Sequence, residues 1–239
     1  EAVSAAARTE DPNVEIALQE TQLGTGHAVD QARAALGDFD GTVLVLYGDC
    51  PFIQTRTLEE LIATLNDSAV SVLGFEAKDP ARYGRLITDG DKLKRIVEFK
   101  DASPAERAVT LCNSGVMAAP AHLLFDLLSE INTDNASGEL YLTDVVGKAV
   151  ARGLQCATVR CAERETLGVN SRVELMQAEK EFQNLRRAVA LEDGVSMPAP
   201  ETVHFSYDTV IGRDTIIEQN VVFGPGVTVE SGAQIRAFS

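Results

Sequence analysis

Along the first two hundred residues, apolar runs suited to strands alternate with segments whose apolar positions recur at helical spacing. That alternation predicts an α/β layer fold with a mainly parallel sheet. Residues 14–18 read as a short strand, and residues 42–47 (TVLVLY) form an unbroken β-branched and aliphatic run. Such a run predicts a central strand covered on both faces. Between them Ala28, Val29, Ala32, Ala35 and Leu36 mark a helix, so Gly24-Thr25-Gly26 falls where a strand gives way to a helix start. Thr57 and Glu60 read as a capping box, opening a helix with Leu58, Leu61, Ile62 and Leu65 on one face. Further strands are predicted at 69–75, 85–88, 93–99, 111–118 and 154–159, with a hairpin turn at Asp89-Gly90, and helices at 121–131 and 142–151. A second capping box, Ser171 with Glu174, opens a long helix. Its stripe of Leu175, Ala178, Phe182, Leu185 and Val189 suits packing or a trimer contact.

After Met197-Pro-Ala-Pro200 the pattern changes. Ile211, Ile217, Phe223, Val229 and Ile235 stand six apart, with Gly212, Asn220, Gly224, Gly226 and Gly232 between them. One inward apolar residue every six predicts the hexapeptide repeat of a parallel β-helix. The last predicted coil is open at Ser239, and repeat architectures need stacked units and a cap, so the chain is expected to be a piece of something longer.

Composition narrows the function classes. The 239 residues are 45% hydrophobic and 24% charged, with no apolar run long enough for a membrane span and no signal or transit pattern at the start. A cytoplasmic protein without membrane insertion is expected. A net charge of −15 argues against nucleic-acid partners. Cys50, Cys112, Cys156 and Cys161 form no C-x-x-C pair and lie far in sequence from His27, His122 and His204, so reduced structural thiols are expected.

In open α/β sheets ligands collect at the carboxyl ends of strands. Asp49 directly follows the TVLVLYG run, with no sequence cation beside it, and reads either as a hard-cation ligand or as a turn-forming Asp. Gly24-Thr25-Gly26 presents backbone N–H groups suited to an anion or a base edge, or is there for steric reasons alone. Gly84, Glu98, Asn113-Ser114-Gly115 and Asn170 are polar or glycine residues at element ends, each with a local explanation of its own.

Their joint order resembles a known family. The segments Gln19 to Ala28, Tyr47-Gly48-Asp49-Cys50-Pro51, Tyr83-Gly84-Arg85, Glu98-Phe99-Lys100-Asp101, Asn113-Ser114-Gly115, Gly138 to Asp144 and Gly168 to Arg172 resemble the bifunctional bacterial N-acetylglucosamine-1-phosphate uridyltransferase / glucosamine-1-phosphate N-acetyltransferase family. The resemblance runs from about Asn13 into the hexapeptide repeats.

It implies a Rossmann-like, GT-A-like nucleotidyltransferase domain over 1–170, a connecting helix and linker over 171–200, and the first coils of a left-handed β-helix over 201–239. It implies that Gln19, Gly24 and Thr25 hold the uracil end of UTP or UDP-N-acetylglucosamine, and that Tyr47 and Gly48 line the nucleotide-sugar. Asp49 and Asn170 would be the catalytic pair that ligates Mg²⁺. Gly84, Glu98 and Asn113 would contact the sugar of N-acetylglucosamine-1-phosphate, with Thr143 nearby. Acetyl-CoA and glucosamine-1-phosphate would be substrates of the full-length parent alone, a homotrimer. Nothing in residues 1–20 matches the family's glycine-rich phosphate loop, so the resemblance implies a fragment, expected to be inactive as it stands. Another sugar-1-phosphate nucleotidyltransferase and a catalytically silent nucleotide-sugar-binding subunit remain open.

Overall fold

The computed structural model describes residues 2–239. The chain divides into two compact units, Glu1–Leu167 and Gly168–Ser239.

In the first unit the order is α1 (Ala2–Glu10), α2 (Thr25–Asp30), α3 (Arg33–Leu36), β1 (Thr42–Val45), α4 (Thr55–Ala63), β2 (Val70–Glu76), β3 (Arg85–Asp89), β4 (Lys92–Val97), α5 (Pro104–Arg107), β5 (Leu111–Pro120), α6 (Ala121–Leu128), α7 (Asp144–Ala151) and β6 (Cys156–Cys161). The six strands form one sheet in the order β1-β5-β2-β6-β4-β3. Its central strand is β2, six of whose seven residues are buried. On one face Val70, Val72, Leu86 and Met117 pack with Leu124, Leu127, Leu142, Val145 and Val146, uniting β2, β3 and β5 with α6 and α7. On the other, Leu73, Val116, Ala118 and Val159 pack against Leu61 of α4. Burying apolar side chains on both faces holds the layers together and places the strand ends where loops converge.

Four expectations are corrected here. The mainly parallel character is confined to β2–β6; β1–β5, β2–β5, β3–β4, β3–β5 and β4–β6 are antiparallel. A strand buried on both faces shows the same apolar run in either direction, so the pattern along the chain does not report direction. The TVLVLY run is an edge strand among the described residues: β1 pairs with β5 alone and ends at Val45, and Leu46 and Tyr47 are exposed. Residues 14–18 form no regular element. Thr57 is not a cap, since α4 starts two residues earlier; its buried hydroxyl donates instead to Glu165 Oε2 at 2.7 Å, closing α4 against the segment after β6. A capping box does occur at Ser103, whose hydroxyl accepts from Glu106 N–H while the Glu106 carboxylate takes Ser103 N–H.

In the second unit α8 (Arg172–Glu192) is followed by β7 (Val203–His204), β8 (Val210–Ile211), β9 (Ile216–Ile217), β10 (Val221–Val222), β11 (Thr228–Val229) and β12 (Gln234–Ile235). The Ser171 hydroxyl caps α8 by accepting from Glu174 N–H at 3.2 Å. Along its stripe Ala178 is buried, Phe182 and Leu185 are half-buried, and Leu175 and Val189 are exposed. The strands pair in parallel as Val203↔Val221, Thr228↔Val210 and Gln234↔Ile216, each 18 residues apart in the chain. That offset is three times the six-residue period of the apolar positions. Ile217 and Phe223 are buried with Val203 and Phe205, and Ile211, Val229 and Ile235 pack against that cluster. Among the described residues, no helix is long and apolar enough to cross a membrane.

Candidate functional site

At one end of the first unit's sheet, nine of the ten residues singled out in the sequence fall along one continuous series of contacts. The series starts at Gln19, whose Nε2 donates to Gly24 O at 3.1 Å and lies 3.0 Å from His27 Nδ1. Its amide hydrogens are taken locally, so its carbonyl oxygen is the group left for a ligand. Gly24 has φ 116° and ψ 176°, a conformation essentially confined to glycine. That turn brings Leu140 N–H onto Leu23 O and Gly26 N–H onto Leu140 O, both at 2.8 Å, and lets Thr25 Oγ1 accept from Leu142 N–H at 3.0 Å. A cavity of about 280 Å³ opens here, lined by Gln19, Gln22, Gly24, Thr25, Ala28 and Glu139.

One residue on, Thr143 occupies the N-cap position of α7 yet makes no cap. Its buried hydroxyl donates to Glu98 Oε1 at 3.0 Å instead, across 45 residues of chain. Glu98, just past β4, faces Gly84 so closely that a methyl on Gly84 would lie 3.4 Å from both carboxylate oxygens. The Gly84 carbonyl accepts from Asn113 N–H at 2.9 Å, and Asn113 Oδ1 accepts from Gly115 N–H at 3.1 Å, leaving the Asn113 amide hydrogens for a ligand. Ser114 points the other way, to Leu73 O at 2.7 Å, as the alternation of a strand requires. Gly115 has φ 87°, and a methyl on it would lie 2.3 Å from the Tyr47 ring, so the glycine lets that ring close over β5. Gly48 and Asp49 follow, with the Cys50 thiol 3.7 Å from Asp49 Oδ1. No Lys or Arg pairs with Asp49 among the described residues, and a methyl on Gly48 would meet nothing within 4 Å. Asn170 belongs to the second unit, exposed beside the Ser171 cap; its N–H donates to Glu174 Oε2 at 2.7 Å and its side-chain amide makes no hydrogen bond among the described residues.

The electrostatics are those of a partly dry, acidic site. Burial pushes the Glu98 carboxyl above its ordinary value, against the Thr143 hydrogen bond, and the carboxylates of Asp101 and Asp144 push it further. Burial, then Glu98 and Asp49, raise Tyr47, and burial with Asp49 pushes the Cys50 thiol up to about 11, so it stays protonated and unreactive at neutral pH. Asp101 and Asp144 line a cavity of about 310 Å³ with Glu98, Tyr141 and Thr143. The sequence reading assigned no role to these two carboxylates, although both stand within three residues of a candidate.

A carboxyl raised in the folded state above 4.5 contributes stability that is fully present below that value and is lost as pH rises through the folded value. Ionised Glu98 is therefore a net cost near neutrality. Glu98→Gln should raise the urea midpoint at pH 7, with the advantage gone below about pH 4. An equal difference at both pH values would remove burial of the charge as the cause.

Hard oxygen donors are what Mg²⁺ selects, usually one or two protein carboxylates with phosphate and water oxygens completing the shell. Asp49, a carboxylate uncommitted to any cation, fits that chemistry, as does the Asn170 amide oxygen; no group of three or more His, Cys, Asp or Glu among the described residues forms an all-protein metal site.

A nucleotidyl transferase family model matches residues 2–163. The curated "Bifunctional protein GlmU" of Roseobacter denitrificans is 60% identical over 239 residues, covering 100% of this chain and 53% of that protein. Its namesake from Jannaschia sp. is 56% identical over 228 residues, 95% of this chain and 50% of that protein. The chain thus spans about half the length of the curated relatives it matches. Among solved structures, a nucleoside-diphosphate-sugar pyrophosphorylase from Vibrio cholerae RC9 superposes with TM-score 0.52 at 14% identity, over 74% of each chain. An apo UDP-glucose pyrophosphorylase gives 0.53 at 17% identity, over 70% of this chain and 63% of that one. These likenesses concern the fold, a Rossmann-like nucleotidyltransferase architecture.

Proposed function

Because the chain belongs to the nucleotidyl transferase family, we propose that its first unit carries a uridyl-transfer site that joins UTP to N-acetylglucosamine-1-phosphate, releasing pyrophosphate and forming UDP-N-acetylglucosamine. The observation that carries this reading is the contact series itself. Five stretches of chain supply one row of complementary polar groups: the Gln19 carbonyl oxygen, the Gly84 backbone, the Glu98 carboxylate, the Asn113 amide hydrogens, and the Tyr47 ring with the Asp49 carboxylate.

In this reading the Gln19 oxygen, with Gly24 and Thr25, takes the uracil edge, an acceptor matched to the ring N–H. Tyr47 and Gly48 line the nucleotide-sugar. Glu98 accepts from sugar hydroxyls while the Asn113 amide and the Gly84 N–H donate. Asp49 would hold Mg²⁺, which when bound offsets the negative charge of the reacting phosphates. The phosphate oxygen of the sugar-1-phosphate forms the new bond to the α-phosphorus of UTP in line as the bond to pyrophosphate breaks. That oxygen is already ionised, so the chain's residues need to orient the two substrates and exclude water, with no side chain required as general base.

The coils of the second unit are the start of a left-handed parallel β-helix in this reading. Acetyl transfer from acetyl-CoA to glucosamine-1-phosphate, and a trimeric assembly, belong to the complete protein. The 18-residue parallel pairing and the length of the curated relatives support that view.

The test is pyrophosphate release by the complete protein, with Mg²⁺ and UTP, on a panel of sugar-1-phosphates. Turnover several-fold faster with N-acetylglucosamine-1-phosphate than with glucose-1-phosphate is expected. Preference for glucose-1-phosphate would transfer the site to another sugar class, and binding without release would make it a silent subunit.

A further inference from the structure

Arg85 is a buried cation for which the proposed chemistry has no use. Only 2% of it is exposed, and no carboxylate pairs with it among the described residues. A guanidinium stays charged in any protein environment, and withdrawing it from water is costly unless its donors are met. Here they are met by main-chain carbonyls: Nη1 donates to Tyr83 O, Nη2 to Ala81 O at 3.2 Å, and Nε and Nη2 to Arg107 O, both at 3.4 Å. Its guanidinium also lies over the Phe99 ring, 5.9 Å from the centroid, with Arg107 stacked on the same ring at 4.5 Å. An apolar side chain of similar volume would fill this space without the desolvation cost, so packing alone does not account for an arginine.

What Arg85 grips accounts for it. Tyr83 and Phe99 are the chain neighbours of Gly84 and Glu98, which face each other at the sugar end of the site so closely that a methyl on Gly84 would lie 3.4 Å from both carboxylate oxygens. The Tyr83 carbonyl and the Gly84 N–H belong to one planar peptide and point to opposite sides of the chain. Binding the carbonyl to the guanidinium therefore turns the N–H away from Arg85. Gly84 is buried, its carbonyl is held by Asn113 N–H, and its own N–H has no hydrogen-bond partner among the described residues. A buried, unpaired backbone N–H is rare and marks a place where a ligand completes the bonding.

We propose that Arg85 is a positioning residue of the sugar site: its planar fork, fastened to three carbonyls and to Phe99, sets the Gly84 peptide so that its N–H stands as a donor beside the Glu98 acceptor. This rests on the sugar-site reading above and adds to it the device that fixes the donor and acceptor relative to one another. A lysine keeps the charge and the stem but has neither the planar fork nor the span to hold the carbonyls together.

The experiment is steady-state kinetics of Arg85→Lys and Arg85→Met in the complete protein, with thermal midpoints measured alongside and Glu98→Gln as reference. Arg85→Lys should raise KM for the sugar-1-phosphate about tenfold, the effect of losing one well-placed hydrogen bond, while KM for UTP stays within about twofold. Arg85→Met should show at least the same split; should it fail to fold, the lysine variant carries the test. An unchanged sugar-phosphate KM in Arg85→Lys, or equal rises in both KM values tracking the thermal midpoint, would overturn the proposal. Should Glu98→Gln also leave the sugar-phosphate KM untouched, the sugar-site reading is what has failed.

Discussion

Asp49→Ala in the complete protein should lower Mg²⁺-dependent pyrophosphate release about 10²–10³-fold while the urea midpoint stays within about 0.5 kcal/mol of the parent. The split follows from where the carboxylate sits. Asp49 is partly exposed, past the end of β1, and among the described residues its carboxylate accepts a hydrogen bond from the Cys50 thiol alone, at 3.7 Å. Removing it breaks no ion pair and opens no core cavity, so the fold has little to lose. Phosphoryl-group transfer, by contrast, depends on positioning and charge compensation, and a lost cation ligand weakens both. Asp49→Asn should fall nearly as far, since it keeps the shape and removes the charge. Turnover at the parental rate in either variant would end the metal assignment, and a large drop in the urea midpoint would make Asp49 structural.

Gly24→Ala should cost about 2–4 kcal/mol of stability, combining a glycine-only backbone conformation with overpacking. Its added methyl would sit 2.5 Å from Leu140 O and 2.8 Å from Leu140 N. Those are backbone atoms, which cannot swing aside as a side-chain tip can. Moving them strains the 2.8 Å bonds between Leu140 and both Leu23 and Gly26 and pulls on the Thr25–Leu142 bond next to Thr143. The loss should therefore appear twice, as a lower urea midpoint and as a higher KM for UTP. Gly90→Ala, where φ is 58° but nothing lies within 4 Å, separates backbone strain from collision and should cost about 1 kcal/mol. Equal costs at the two positions would mean that the close approach to Leu140 is unimportant.

Local pattern alone determined a good part of this protein. The six-residue spacing of Ile211, Ile217 and Phe223 is a chain-level period, and the 18-residue offset of the parallel strand pairs equals three such steps. Asp89-Gly90 announces the β3–β4 hairpin because a two-residue turn with positive φ at glycine is a local event. Ser171 announces α8 for the same reason, its cap bond spanning three residues. The order of Gln19, Gly24, Asp49, Gly84, Glu98 and Asn113 was legible as a motif series. Its meeting point was not, because hydrogen bonds such as Thr143 to Glu98 close across 45 residues that carry no mark of each other.

Tertiary structure alone decided the rest. Burial on both faces gives β2 and β5 the same apolar signature whichever way they run, so strand direction waited on the sheet. TVLVLY looks like a central strand because its side chains are apolar; whether a strand is central depends on who pairs with its edges, and among the described residues only β5 does. Thr57 has the sequence of a cap, but a hydroxyl goes to the best acceptor within reach, and folding brought Glu165 there. Nothing in the sequence around Arg85 marks it for burial. The carbonyls of Ala81, Tyr83 and Arg107, gathered from two stretches of chain, are what make its burial possible, since a charge leaves water only when partners distant in sequence converge to replace it.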